Sequence, residues 1–85
     1  MTHELKIYQE YYEDVILERK KFELRKNDRD FKVGDYLNLK EWFPDTESYS
    51  GRGVLVQVSY ILQGATAFYF GLKEGYCIMG IEFRI

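Results

Sequence analysis

The run Lys20-Lys21-Phe22-Glu23-Leu24-Arg25-Lys26-Asn27-Asp28-Arg29-Asp30 holds the side chains of this 85-residue chain best suited to chemistry. Seven of the twelve Lys and Arg residues fall between Arg19 and Lys32, yet Glu23, Asp28 and Asp30 are threaded among them. A surface that gripped a polyanion by charge alone would not need those acids. The mixture points instead to a preorganised polar site, or to a salt-bridged turn. Arg25 presents a planar fork of donors that fits a phosphate or a base edge. Lys20 can contact phosphate or, once desolvated, act as nucleophile or base. Glu23 can orient either cation or work as an acid or base. A plain structural role stands beside each: a solvated lysine at a helix end, an arginine paired with Glu23 or Asp28, a charge facing water.

The rest of the run divides. Asn27, Asp28 and Asp30 are turn residues whose side chains bond nearby backbone. Asp28 to Asp30 are therefore assigned to the loop, with Asn27 and Arg29 kept as ligand contacts. Two aspartates without further carboxylates are a weak magnesium signal. His3 and Cys77 are the sole His and Cys, which excludes a zinc site of the usual kind. No motif supports a Ser-His-Asp set, and no cofactor is implied. His3 is expected at a sheet edge. Among the aromatics, Trp42, Phe43, Phe68, Tyr69, Phe70 and Tyr76 could stack on bases. Most are assigned to packing, and Tyr69 and Tyr76 are the better stacking candidates.

The elements that must position these groups follow from periodicity. His3 to Ile7 reads as a strand with Leu5 and Ile7 on one face. Tyr8, Tyr11, Tyr12, Val15 and Ile16 form the stripe of an amphipathic helix without a clear N-cap. Phe22 to Arg25 is a second strand, with Phe22 and Leu24 on one face and Lys21, Glu23 and Arg25 on the other. Val33-Gly34-Asp35 signals a turn. Tyr36 to Trp42 is a third strand with Leu37 and Leu39 inward. Phe43 to Gly53 reads as a polar, mobile loop. Val54 to Leu62 is a fourth strand with Val54, Val56, Val58 and Tyr60 sharing a face. Gln63 to Gly75 is a connection. Cys77 to Ile85 is the last strand, with Cys77, Met79, Ile81, Phe83 and Ile85 on one face and Cys77 buried and inert.

Five or six strands and one main helix, placed after the first strand, describe an α+β, mainly β domain spanning residues 1–85. A small curved sheet or barrel is expected, since closure removes exposed edges. Eight Tyr, six Phe and one Trp give a short chain unusual buried area. The net charge of −2 argues against nucleic-acid binding by bulk charge, while leaving room for a local basic groove. A lone cysteine, no visible signal peptide and no membrane-length apolar stretch favour a cytoplasmic location. The oligomeric state is not legible from the sequence.

The chain resembles a small bacterial and phage family related to ASCH domains, within the PUA-like superfamily. The likeness is carried by His3-Glu4-Leu5-Lys6-Ile7, by the run from Lys20 to Phe31, by Val33-Gly34-Asp35, by Tyr60-Ile61-Leu62, and by Gly71-Leu72-Lys73-Glu74-Gly75-Tyr76. The resemblance implies a PUA-like β-barrel. It also implies a cleft beside the helix, lined by a motif of Gly, any residue, Lys, two residues, Glu or Thr, one residue, then Arg. Lys20, Glu23 and Arg25 occupy the Lys, acidic and Arg positions. Glu18 stands where Gly is usual, and Lys21 where Thr is common. Domains of this kind are mostly inferred to bind RNA or nucleotide-like ligands. One branch removes the N4-acetyl group of acetylated cytidine with a Lys, a Thr and a distant Glu. Lys20 matches that Lys, Glu23 replaces the Thr, and Glu74 is the candidate for the distant Glu.

Three readings follow. The leading one is a module that binds RNA or a modified nucleotide through Lys20, Glu23, Arg25, Asn27, Arg29 and Tyr76. The second is an amidohydrolase acting on an acylated nucleoside, with Lys20 and Glu23 as catalytic candidates. The third is a protein-interaction domain, which exposed aromatics at 68–70 would favour.

Overall fold

The computed structural model describes residues 1–83. Strand β1 (Thr2–Tyr8) alternates strictly, and His3, Leu5 and Ile7 are buried. Helix α1 (Gln9–Ile16) follows at once, with Tyr8 as an N-cap that makes no side-chain capping bond. Only Tyr12 and Val15 of its stripe are fully buried. Tyr8 and Tyr11 remain about half exposed. A Schellman pair ends the helix: the Glu18 amide donates to the Val15 carbonyl at 3.0 Å, and the Arg19 amide to the Asp14 carbonyl at 2.8 Å. Glu18 takes the left-handed conformation this motif requires, at φ 59°.

Four more strands complete a single curled half-barrel. They are β2 (Phe22–Lys26), β3 (Tyr36–Phe43), β4 (Ser48–Leu62) and β5 (Tyr76–Phe83), in the order β1-β3-β4-β5-β2. β1 runs parallel to β3, with Leu5 beside Leu39. A parallel pair needs a crossover connection, which α1, β2 and the following loop supply. The other three pairings are antiparallel. Leu37, Leu39, Val56, Val58, Cys77, Met79 and Ile81 fill the concave face, and Tyr12, Val15 and Phe31 cover it. Among the described residues, no helix is long and apolar enough to cross a membrane.

Several expectations are corrected. Among the described residues the strands number five, within the five or six expected, but no ladder joins β1 to β2, so the sheet is open along that seam where a barrel was expected. Residues 43–53 are a hairpin and not a loop: residues 44–47 turn, and β4 begins at Ser48. The Gly and Ser signals instead mark an irregularity, in which the register passes from Lys40–Gly53 to Trp42–Tyr49. Gly51, at φ 97°, supplies the backbone this needs. Tyr60 does not share the face of Val56 and Val58 but is 65% exposed. A second bulge between Val58 and Tyr60 shifts the alternation by one residue. His3 lies on an edge strand, yet its side chain is buried, its Nε2 donating to Asp35 Oδ2 at 2.8 Å. The 63–75 connection contains a short helix, α2 (Ala65–Tyr69), which buries Ala67 and leaves Phe68, Tyr69 and Phe70 exposed. Ile85, the expected end of the last strand, lies outside the described residues.

A side chain in the left-handed region costs about 1–2 kcal/mol, and glycine loses about 0.5–1 kcal/mol of extra chain entropy on folding. Glu18→Gly is therefore expected to raise stability by up to about 1 kcal/mol. Urea unfolding checks this, and a marked loss of stability would contradict the helix-end geometry.

Candidate functional site

The helix end delivers Lys20 to the site. Its amide donates to the Asp14 carbonyl at 3.0 Å, folding the chain back over the end of α1. Its ammonium then lies 5.8 Å from the centre of the Tyr11 ring and 5.0 Å from that of Phe22. It donates to the Phe22 carbonyl at 2.7 Å and to Glu23 Oε1. β2 turns Glu23 inward, where it is 3% exposed, and leaves Phe22 and Leu24 on the outer face. The polar side of this strand is thus the buried side. Arg25 Nε donates to Glu23 Oε2 at 2.9 Å, and its Nη2 reaches the Lys6 carbonyl on β1. Both oxygens of the buried carboxylate are held by cations, which is what allows a charge to sit there.

These three side chains converge on one cleft of about 480 Å³ at the seam between β1 and β2. Tyr8, Tyr11 and Phe22 line it too, so charged donors sit among aromatic faces. That mixture can orient a planar polar ligand: rings supply area, and the fixed fork supplies direction.

The other sequence candidates lie elsewhere. Arg29 Nη1 donates to the Glu4 carbonyl at 2.9 Å, farther along the same seam. Asn27 clamps its loop: its amide donates to the Gly75 carbonyl at 2.8 Å, its Nδ2 to Gln63 Oε1 at 2.7 Å, and its Oδ1 accepts from the Phe31 amide at 3.1 Å. Asp30 adopts φ 51° and pairs with Lys32 at 3.3 Å in solvent, a loop role. Tyr76 and Glu74 line a different hollow with Phe68. Lys20 and Glu23 are therefore brought together, but Glu74 does not join them. Among the described residues, no group of three or more His, Cys, Asp or Glu side chains is placed to hold a metal.

Two buried polar clusters were not read from the sequence. Glu41, 1% exposed, accepts from Arg52 Nε at 2.9 Å and from Arg52 Nη2 at 3.0 Å. Arg52 Nη2 also reaches Glu13 of α1 at 2.7 Å, and its guanidinium lies 5.0 Å from the Tyr12 ring centre. The Arg52 bonds hold the Glu41 carboxyl below its ordinary value against the opposing effect of burial. Burial pushes the Tyr12 phenol up. The signal for Glu41 was available in its parity with Leu37 and Leu39, whereas the bulge that aims Arg52 was not. At Asp35, burial pushes the carboxyl up, but the His3 bond and the Lys32 amide at 3.1 Å outweigh it and hold the group low.

With this geometry in view, comparison with known proteins adds a family. A family profile described as Domain of unknown function (DUF3850) matches residues 2–81. The chain belongs to this family. It is also 35% identical over 57 residues to a protein of Escherichia phage P2, described as an uncharacterized 12.9 kDa protein in the GpA 3' region. The match covers 67% of this chain and 50% of the phage protein, so the chain spans about half the length of the curated relative it matches.

Glu41 and Asp35 both have lowered folded values, so their contribution is complete above the ordinary carboxylate range and is lost as pH falls through the lowered values. The share of stability these two carboxylates supply is expected to be constant from neutrality to about pH 5 and to fall below it. Glu41→Gln should lower stability at pH 7 and flatten the acid limb, as read by thermal melts across pH. An unchanged limb would contradict the pairing.

Proposed function

We propose that this member of the DUF3850 family is a recognition module that binds RNA or a modified nucleotide in the cleft at the β1–β2 seam. The observation that carries this reading is the Lys20–Glu23–Arg25 set at one cleft walled by Tyr8, Tyr11 and Phe22. In this reading Arg25 and Lys20 meet phosphate or a base edge, the buried Glu23 holds both cations in place, and a ring stacks on the base. The relation to ASCH domains, and the PUA-like barrel it implies, belongs to the same proposal. It is supported by the helix directly after the first strand and by the polar cleft beside it. Few cations face the cleft, so salt should weaken binding with a shallow slope.

The test is fluorescence anisotropy with a labelled oligoribonucleotide of mixed sequence. The double variant Lys20→Ala, Arg25→Ala is expected to bind at least about tenfold more weakly, with folding verified by circular dichroism. Unchanged affinity of the folded double variant would sink the reading. Incubation with N4-acetylcytidine and chromatography for cytidine tests the amidohydrolase alternative.

A second reading, an interaction surface, is favoured by the exposure of Phe68, Tyr69 and Phe70 at 55%, 81% and 80%. Strand register sets a further apolar surface across the outer sheet face as Phe22–Gly80–Tyr60 and Leu24–Ile78–Leu62. Sedimentation at tens of micromolar checks it. A species heavier than the monomer is expected, and Tyr69→Ser with Phe70→Ser should return it to monomer.

A further inference from the structure

Two rows of side chains cross the outer face of β1, β3 and β4, and both begin at the cleft. Register sets Tyr8 beside Trp42 and Trp42 beside Tyr49, one ring on each of three adjacent strands. The neighbouring row sets Lys6 beside Lys40, with Gly53 next to Lys40 on β4. Lys6 and Tyr8 also line the cleft, so the rows and the cleft share a wall. At the far end, a second hollow of about 300 Å³ is lined by Asn38, Lys40, Tyr49 and Arg52. Glycine at position 53 keeps this end close-fitting, since a Cβ there would lie 3.1 Å from Asn38 Oδ1.

The ring contacts show how the rows are built. Trp42 and Tyr49 meet edge to face with centroids 4.8 Å apart. The Lys6 ammonium sits 3.8 Å above the Trp42 ring, and that of Lys40 lies 5.4 Å from Tyr49. Tyr8 and Tyr49 are 48% and 50% exposed. Adjacent strands repeat at roughly 4.8 Å, so the face carries one ring per strand, with the planes of Trp42 and Tyr49 at 71° to each other.

We infer that these rows prolong the cleft into a track for a short single strand of RNA. Bases lie on Tyr8, Trp42 and Tyr49, and phosphates meet Lys6 and Lys40. The inference rests on the proposed nucleotide-binding role of the cleft and names its ligand as a strand instead of a lone nucleoside. Base–aromatic stacking is stronger than a cation–π contact at an exposed site. An arriving base therefore displaces the Lys6 ammonium from the Trp42 ring and frees it for the backbone. Lys40 is available on the same terms. Its pair with Glu4, at 3.1 Å, is between two exposed side chains and is readily exchanged. Because every base has a π-face, the track tolerates sequence, and selectivity stays with Arg25 and Lys20 in the cleft.

Trp42 is the only tryptophan, so its emission reports on the middle of the track without a label. The intact protein is titrated with an oligouridylate of about eight nucleotides and, separately, with uridine monophosphate. The oligonucleotide is expected to quench Trp42 and to bind at least about tenfold tighter than the mononucleotide. Tyr49→Leu with Lys40→Gln, which keeps bulk while removing a π-face and a charge, should cut that affinity ratio severalfold. Lys20→Ala with Arg25→Ala should weaken both ligands. Equal affinity for the two ligands, or a ratio unmoved in the folded Tyr49, Lys40 variant, overturns the track and leaves the cleft reading standing. Binding of neither ligand overturns both.

Discussion

A single buried carboxylate holds together the two open edges of this sheet. Glu23 on β2 binds the cation that follows α1 and the cation two residues ahead of it, and Arg25 carries the connection on to a β1 carbonyl. Helix end, last strand in the sheet order and first strand in the chain therefore meet at one group. Removing one partner of such a set leaves a buried charge uncompensated, which is far costlier than losing an exposed pair. The cleft exists because the seam is bridged by side chains and not by a backbone ladder. A closed barrel would have filled the space that Lys20, Glu23 and Arg25 now share.

The same device recurs where the apolar core thins out. Glu41 on β3 is met by Arg52 from the irregular part of β4, which also holds Glu13 of α1. Asp35 is met by His3, whose ring packs edge-on to Phe31 at 4.8 Å. An 85-residue chain buries a smaller fraction of its surface than a larger domain does. Here the concave face is completed by polar pairs, each joining different elements. Such pairs add little net energy compared with apolar replacements, but they admit few alternative arrangements.

Much of this was legible in the residues, and the failures share a physical cause. Strict alternation in Leu5–Ile7, Leu37–Leu39 and Cys77–Met79–Ile81 revealed the strands and their inner faces. The order Lys20, Glu23, Arg25 located the groups that converge. Alternation fails wherever a bulge inserts a residue: Val56 and Val58 point inward, and one extra residue sends Tyr60 out. The polar stretch around Gly51 resembled a loop because a bulge uses the same residue types as a turn. β2 defeats hydrophobic reasoning altogether. Its buried face is made of paired charges, so Phe22 and Leu24 lie outside. Tyr8 and Tyr11 looked like core because they keep helical spacing, yet they sit at the margin of the stripe and wall the cleft.

The arginines on the seam have one more consequence. β1 is an edge strand, and its carbonyls on that side would ordinarily be a template onto which a foreign strand could add. Arg25 and Arg29 occupy the carbonyls of Lys6 and Glu4 with charged, planar heads. An incoming backbone would have to displace both guanidiniums and sit beside buried charge. The gap that makes room for a ligand is thus guarded against self-templated assembly, and a chain with an unclosed sheet keeps its edge from nucleating aggregates.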